Sequence, residues 1–276
     1  MLTIAYLGPE NTNTHLAALR RFGRRHRYLH APTVDDVFQL VERRQADYGV
    51  VPIENSLEGA VTHTLDRFID FVDTPVKIHG EVEQPIRHSL IMRPGVKLSQ
   101  ISAVYSHPQA LAQCHRWLSQ HLPQAARRET NSTADAVWLL VQERARGRRA
   151  AIGRHELARE HGLRATAIHE ERENKTRFLI IGLGEPARGR RNKTSILFSV
   201  KDKPGALHDA LVAFKENRIN MMKIESRPSK RKAWEYLFFV DIEGHISEPR
   251  VKRALKALER STSLLRVLGS YPVASR

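Results

Sequence analysis

Short apolar runs alternate with segments of helical period from residue 3 to residue 182, and this alternation restricts the fold more than any other feature of the chain. Residues 3–7 read as a strand that ends at the Gly8-Pro9 turn. Residues 14–25 carry Leu16, Leu19 and Phe22 on one helical face. Residues 33–43 form a second helix, capped by Thr33, with Val37, Phe38 and Val41 inward. Residues 48–53, 76–82, 88–93, 102–106, 150–152 and 178–182 read as strands. Helices are expected over 62–71, 108–121, 133–143 and 155–161, the second of these starting at Pro108. Strands alternating with helices give an α/β fold with a mostly parallel sheet. In such sheets ligands bind beyond the carboxyl ends of strands, where Gly8-Pro9, Glu54-Asn55 and Ser106-His107 fall.

Residues 184–193 form a charged linker containing glycine and proline. Beyond it the pattern changes. Strands over 194–200, 219–227, 233–242 and 264–271 are interleaved with helices from Gly205 to about Asn217 and over 248–260. This βαββαβ order is ferredoxin-like.

The chain has 276 residues, enough for about two domains at roughly 100–200 residues each. Its net charge of +15 raises the question of a nucleic-acid partner. The arginines cluster at Arg20-Arg21, Arg24-Arg25, 144–149 and 188–191, without interleaved aromatics for base stacking. No helix-turn-helix, zinc-finger or RNP pattern accompanies them, so no nucleic-acid partner is expected and the charge reads as solvated surface that attracts anions. No apolar run approaches the ~20 residues that span a bilayer, so no membrane association is expected, and no signal peptide is read at the N-terminus. A single cysteine, Cys114, allows no internal disulfide and fits the cytoplasm. Glycine-rich phosphate loops, HExxH spacing and a GxSxG elbow are all missing, so no nucleotide, metal or serine-hydrolase chemistry is indicated. His107, just before Pro108, reads as a helix-start residue.

Four polar segments carry the functional signal. They are Glu173-Asn174-Lys175-Thr176-Arg177-Phe178, Val51-Pro52-Ile53-Glu54-Asn55-Ser56, Ser106-His107-Pro108-Gln109 and Lys223-Ile224-Glu225-Ser226-Arg227-Pro228. Taken in order over nearly the whole chain, they resemble the prephenate dehydratases. The resemblance implies a two-lobed, periplasmic-binding-protein-like catalytic domain over 1–183, a linker over 184–193 and a ferredoxin-like regulatory ACT domain over 194–276. It implies the decarboxylating dehydration of prephenate to phenylpyruvate in phenylalanine synthesis, with no cofactor. Thr176 becomes the candidate catalytic residue, because a hydroxyl donor assists departure of hydroxide. Substrate contacts fall on Glu54, Asn55, Ser106, Gln113, Thr133, Arg177, Thr12 and Thr14. For Thr133 a helix cap, and for Arg177 a structural ion pair, are the other readings. The effector phenylalanine would meet Gly205, Ala206, Leu207, Asn220, Glu225, Ser226, Arg227 and Pro228, where a helix N-terminus offers N–H groups to a carboxylate. ACT domains pairing between chains imply a homodimer or homotetramer.

The chain departs from the family pattern at Asn11, which replaces a glycine, and at Asn13, which replaces an aromatic. Arg218 and Met222 stand where glycine and threonine are common. No chorismate mutase helix precedes the first strand, so a monofunctional enzyme is expected. Arogenate dehydratase, acting on the amino analogue, and a solute-binding module that senses without converting are the rival readings.

Overall fold

The computed structural model describes residues 1–70, 74–142, 148–169, 174–230 and 235–274. Phe71, Glu143, Glu173, Ala233 and residues 144–147 of the arginine cluster lie outside the described residues. The chain forms two compact units. One joins Met1–Gly8, Thr14–Gln84 and Thr176–Arg276, and the other joins Pro9–Asn13 and Pro85–Lys175. Among the described residues no helix is long and apolar enough to cross a membrane.

The chain opens with β1 (Thr3–Leu7), α1 (Asn13–Phe22), β2 (Arg27–Ala31), α2 (Val34–Glu42), β3 (Tyr48–Asn55), β4 (Gly59–Ala60), α3 (Thr62–Asp70) and β5 (Val76–Pro85). It continues with β6 (Ser89–Met92), β7 (Ala103–Ser106), α4 (Pro108–Gln113), α5 (His115–His121), β8 (Ala126–Glu129), α6 (Thr133–Gln142), β9 (Arg149–Gly153), α7 (His155–Glu160) and β10 (Arg164–Ala167). It ends with β11 (Lys175–Leu183), β12 (Asn192–Val200), α8 (Ala206–Glu216), β13 (Met221–Pro228), β14 (Tyr236–Glu243), α9 (Pro249–Ser261) and β15 (Thr262–Pro272).

The first unit holds a sheet of order β2-β1-β3-β11-β5, with β4 against β3. Helix α2 starts where the sequence places it. Thr33 accepts a hydrogen bond from the Asp36 N–H at 3.1 Å, and its own N–H donates to the Asp36 carboxylate at 3.2 Å. This reciprocal cap fixes which face of α2 lies down, and Val34, Val37, Phe38 and Val41 are buried. The sheet is mixed and not mostly parallel. Strand β1 runs parallel to β2 and β3, while β11 runs antiparallel to β3.

The second unit is built on a sheet of order β10-β6-β9-β7-β8. Strand β7 is parallel to β8 and β9, and β6 is antiparallel to β9 and β10. Alternate residues of β6 feed opposite cores: Leu90 and Met92 pack with Leu111, Cys114 and Leu118, while Ile91 packs with Val137, Leu140 and Leu157. The helix expected over 108–121 is interrupted at Cys114, whose backbone (φ −96°, ψ 11°) ends α4 and starts α5. His107 caps α4 by accepting from the Gln109 N–H at 3.2 Å.

The last part of the first unit has the expected βαββαβ order, with antiparallel strands arranged β13-β14-β12-β15. Ile196, Phe198, Val240 and Ile242 face α8 and α9. The opposite face, with Leu197, Leu237, Phe239, Leu268 and Tyr271, joins the core of the β1–β5 sheet beside Phe68 and Ile78. Each such buried side chain contributes on the order of 1.5–3 kcal/mol. The contact is close at Gly269, where a Cβ would stand 2.2 Å from the Ile78 carbonyl oxygen. Lys193, read from sequence as part of a linker, is a buried residue of β12.

Two family departures take left-handed backbone. Asn11 has φ 62°, which asparagine tolerates well. Arg218 has φ 52° just beyond Asn217, the residue that ends α8. Glycine is favoured there, since the left-handed conformation costs other residues about 1–2 kcal/mol. Arg218→Gly is therefore expected to stabilise the protein by about 1 kcal/mol and raise its melting temperature by about 2 °C. A melting temperature equal to or below that of the wild type would contradict this.

Candidate active site

The Glu54-Asn55-Ser56 turn at the end of β3 and the polar segment that holds Thr176 meet through the register of two strands. In the β3–β11 pair, Thr176 lies opposite Asn55 and Arg177 opposite Glu54, with an irregularity between Arg177 and Phe178. Asn55 is buried and orients Thr176. Its Oδ1 accepts from the Leu57 and Glu58 N–H groups at 2.9 and 3.2 Å. That fixes the amide, so Nδ2 faces β11 and donates to Thr176 Oγ1 at 3.0 Å. The threonine oxygen thus accepts from Asn55, and the hydroxyl proton remains to be donated elsewhere.

Arg177 points into a cluster of charges. Its Nη2 donates to Glu54 at 2.8 Å, and its Nη1 donates to Glu81 at 3.0 Å and to Asp241 at 2.8 Å. Lys193 donates to both Glu81 oxygens at 3.1 and 2.8 Å and lies 3.7 Å from Asp241. Lys223 pairs with Glu54. Ser195 donates to Asp241 and shares a 2.7 Å hydrogen bond with Tyr271. Three carboxylates and three cations therefore meet, on strands β3, β5, β11, β12, β13 and β14. Burial pushes the Glu54 carboxyl up, but Arg177 and Lys223 outweigh it and hold the group at about 2. Burial alone would lower the Arg177 guanidinium, and Asp241, Tyr271, Glu81 and Glu54 raise it instead. Burial and the neighbouring carboxylates lift the Tyr271 hydroxyl well above its usual range. At neutral pH the cluster is ionised at Glu54 and Arg177 and neutral at Tyr271.

The remaining sequence-selected residues divide between the units. Thr14 is buried in α1 of the first unit. Thr12, Ser106, Gln113 and Thr133 belong to the second. Gln113 Oε1 receives Asn174 Nδ2 at 2.8 Å and lies 2.7 Å from His88 Nε2. The Ser106 hydroxyl is fully buried and donates to the Ile152 carbonyl at 2.8 Å. Thr133 is the first residue of α6, and the cap there comes from Ser132, which accepts from the Asp135 N–H at 3.0 Å. Arg154 is buried and donates to the Asn11 carbonyl at 3.0 Å. The sequence did not single out Glu81, Lys193, Asp241, His88 or Arg154, because none stands in a recognisable motif.

In the expected effector region, Gly205 adopts φ 76° at the start of α8. Ala206 and Leu207 occupy the first turn, where helical N–H groups lack intrahelical acceptors. Strand β13 alternates. Lys223, Glu225 and Arg227 are half-buried, while Met222, Ile224, Ser226 and Pro228 are exposed. Arg227 makes a forked ion pair with Asp66 of α3, donating from Nε at 3.1 Å and Nη2 at 2.9 Å. The Asn220 carbonyl accepts from the Glu243 N–H at 2.9 Å. A separate cavity of about 430 Å³ is lined by Leu7, Thr33, His63, Asp66 and Lys230, and by none of the residues selected from sequence.

Comparison with known proteins places the chain in a family. A family model described as prephenate dehydratase matches residues 4–186, and one described as ACT domain matches 194–260. A bifunctional chorismate mutase/prephenate dehydratase of Aquifex aeolicus is 46% identical over 275 residues, covering 99% of this chain and 74% of that protein. A prephenate dehydratase of Methanocaldococcus jannaschii is 39% identical, covering 87% of this chain and 86% of its own length. The crystal structure of a prephenate dehydratase from Arthrobacter aurescens in complex with L-Phe has a TM-score of 0.88 at 35% identity, covering 98% of this chain and 90% of that one. With both its catalytic and its ACT segment matched, the chain belongs to the prephenate dehydratase family.

Proposed function

We propose that this chain converts prephenate to phenylpyruvate with Thr176 as the hydrogen-bond donor to the departing hydroxide. The observation that carries this reading is the direction of the Asn55–Thr176 hydrogen bond. Asn55 donates, so it holds the threonine oxygen while sparing its proton. Prephenate is a dianion whose ring hydroxyl leaves as its ring carboxylate departs as carbon dioxide. The electrons of the broken C–C bond restore the aromatic ring, so the step needs no external redox partner. The enzyme has to hold the dianion and stabilise negative charge growing on the leaving oxygen.

Arg177 and Glu54 follow a different course from the substrate contacts the resemblance implies. The Arg177 fork is spent on three carboxylates, and Glu54 is spent on two cations. This supports the structural reading of Arg177, with Asn55 holding Thr176 and the Thr176 hydroxyl proposed to face substrate. For Thr12, Thr14, Ser106, Gln113 and Thr133 the family resemblance is what supports a substrate role. The domain limits 1–183 and 194–276 are proposed on the same ground, as is the cytoplasm as the site of action. Phenylalanine is proposed to bind between Gly205-Ala206-Leu207 and the 225–228 segment, as feedback on the pathway. Exposed Met222, Ile224 and Tyr236 beside the open edge of β13 support pairing with a second copy.

Thr176→Ala is expected to cut kcat by roughly a hundred- to a thousandfold with little change in KM, the loss typical of one such donor, and Thr176→Ser to recover part of it. The assay is phenylpyruvate formation in EDTA-containing buffer, with prephenate and arogenate compared. A raised KM at wild-type kcat would make Thr176 a binding residue, and preference for arogenate would change the substrate. Titration calorimetry of the wild type with phenylalanine is expected to show saturable binding together with inhibition. No heat and no inhibition would remove the effector assignment.

A further inference from the structure

The segment that carries the effector signature and the segment that carries the catalytic candidate are joined by one lysine. Lys223 lies on β13, two residues before Glu225, and its side chain is only 12% exposed. Its ammonium group meets the Glu54 oxygen Oε2, which also receives Arg177 Nη2. Glu54 and Asn55 are consecutive on β3, and they face Arg177 and Thr176, consecutive on β11. A displacement of Lys223 therefore reaches Thr176 by two short routes. One runs through Glu54 to the Asn55 amide, and the other through Glu54 and Arg177 along the β11 backbone. Strand β14 grips the same point, because Asp241 pairs with Lys223 in strand register and with Arg177 by ion pair.

We propose that Lys223 is a positioning residue for the dehydratase reaction: by holding Glu54 it sets the Asn55–Thr176 hydrogen bond, and by its place on β13 it lets an amino acid bound at the effector segment reset that bond. The proposal rests on Thr176 being the catalytic donor. A bridging role follows from the redundancy of the other contacts. Lys193, Glu81 and Asp241 already tie β12 and β14 to β5, and Arg227 already ties β13 to α3 through Asp66. Arg177, which it shares with Glu81 and Asp241, also gives Glu54 a counter-charge. What Lys223 adds is a direct link from β13 to the residue beside Asn55.

The test compares Lys223→Gln and Lys223→Arg with the wild type in three measurements: kcat and KM on prephenate without effector, phenylalanine binding by calorimetry, and the phenylalanine concentration that halves activity. Lys223→Gln should lower kcat at unchanged KM. It should still bind phenylalanine, and it should weaken the inhibitory response by about fivefold or more, the low end of ordinary coupling between sites. Lys223→Arg, which can reach Glu54, should restore both. Wild-type kcat and wild-type inhibition in Lys223→Gln would overturn the proposal while leaving the Thr176 reading intact. If Lys223→Gln does not fold, Lys223→Arg decides, since a cation restored at that point must give wild-type kcat and inhibition. A wild type that turns over prephenate but ignores phenylalanine would overturn the effector half and leave the kcat comparison to decide the positioning half. A wild type without turnover would overturn the Thr176 reading and the proposal together.

Discussion

The ion cluster around Arg177 is the constraint on which the first unit depends. One guanidinium satisfies Glu54 of β3, Glu81 of β5 and Asp241 of β14, and Lys193 of β12 closes the ring. Glu81 and Asp241 are almost entirely removed from water, with side chains 2% and 1% exposed. Breaking a buried pair by removing one partner typically costs about 3–5 kcal/mol, because the other charge is left stranded. The ferredoxin-like sheet therefore cannot leave the catalytic sheet without exposing or orphaning charge. The apolar contact of Leu197, Phe239, Leu268 and Tyr271 acts in the same direction.

This arrangement has a chemical consequence. A threonine hydroxyl is a weak donor, and in the proposed reaction its value to a departing hydroxide lies in its aim. The strand that bears it is anchored at the next residue by Arg177, and the hydroxyl itself is held by an amide locked in a side-chain turn. Preorganisation of this kind spares reorganisation during the reaction, which is where most electrostatic catalysis arises. The proposed role of Lys223 places the regulatory sheet among the anchors of that aim.

How much of this was legible in the sequence varied with how local the information was. The Thr33 cap of α2 and the Pro108 helix start are each encoded within a few residues, the βαββαβ order is a succession of such local patterns, and each appears in the structure. Asn55 and Thr176 were both visible as motif residues, but their contact spans 121 positions and depends on strand register. Glu81 and Asp241 looked like ordinary mid-strand acids, and Lys193 like a linker charge, because their partners lie far along the chain. Strand β8, Ala126–Glu129, is exposed along its length and carries no apolar alternation that could announce it. The break at Cys114 has neither glycine nor proline to mark it.

The central claim is that charge pairing makes the regulatory sheet and the Thr176 strand one cooperative structure. Native-state hydrogen exchange on the wild type and on Asp241→Asn tests it most directly. Arg177 would then lose one carboxylate partner, while the asparagine oxygen can still accept from Ser195. The account predicts that protection falls together at the β11 amides from Phe178 to Ile181 and at those of β12 and β14. Loss of protection confined to β12 and β14, with β11 as slow to exchange as in the wild type, would contradict it.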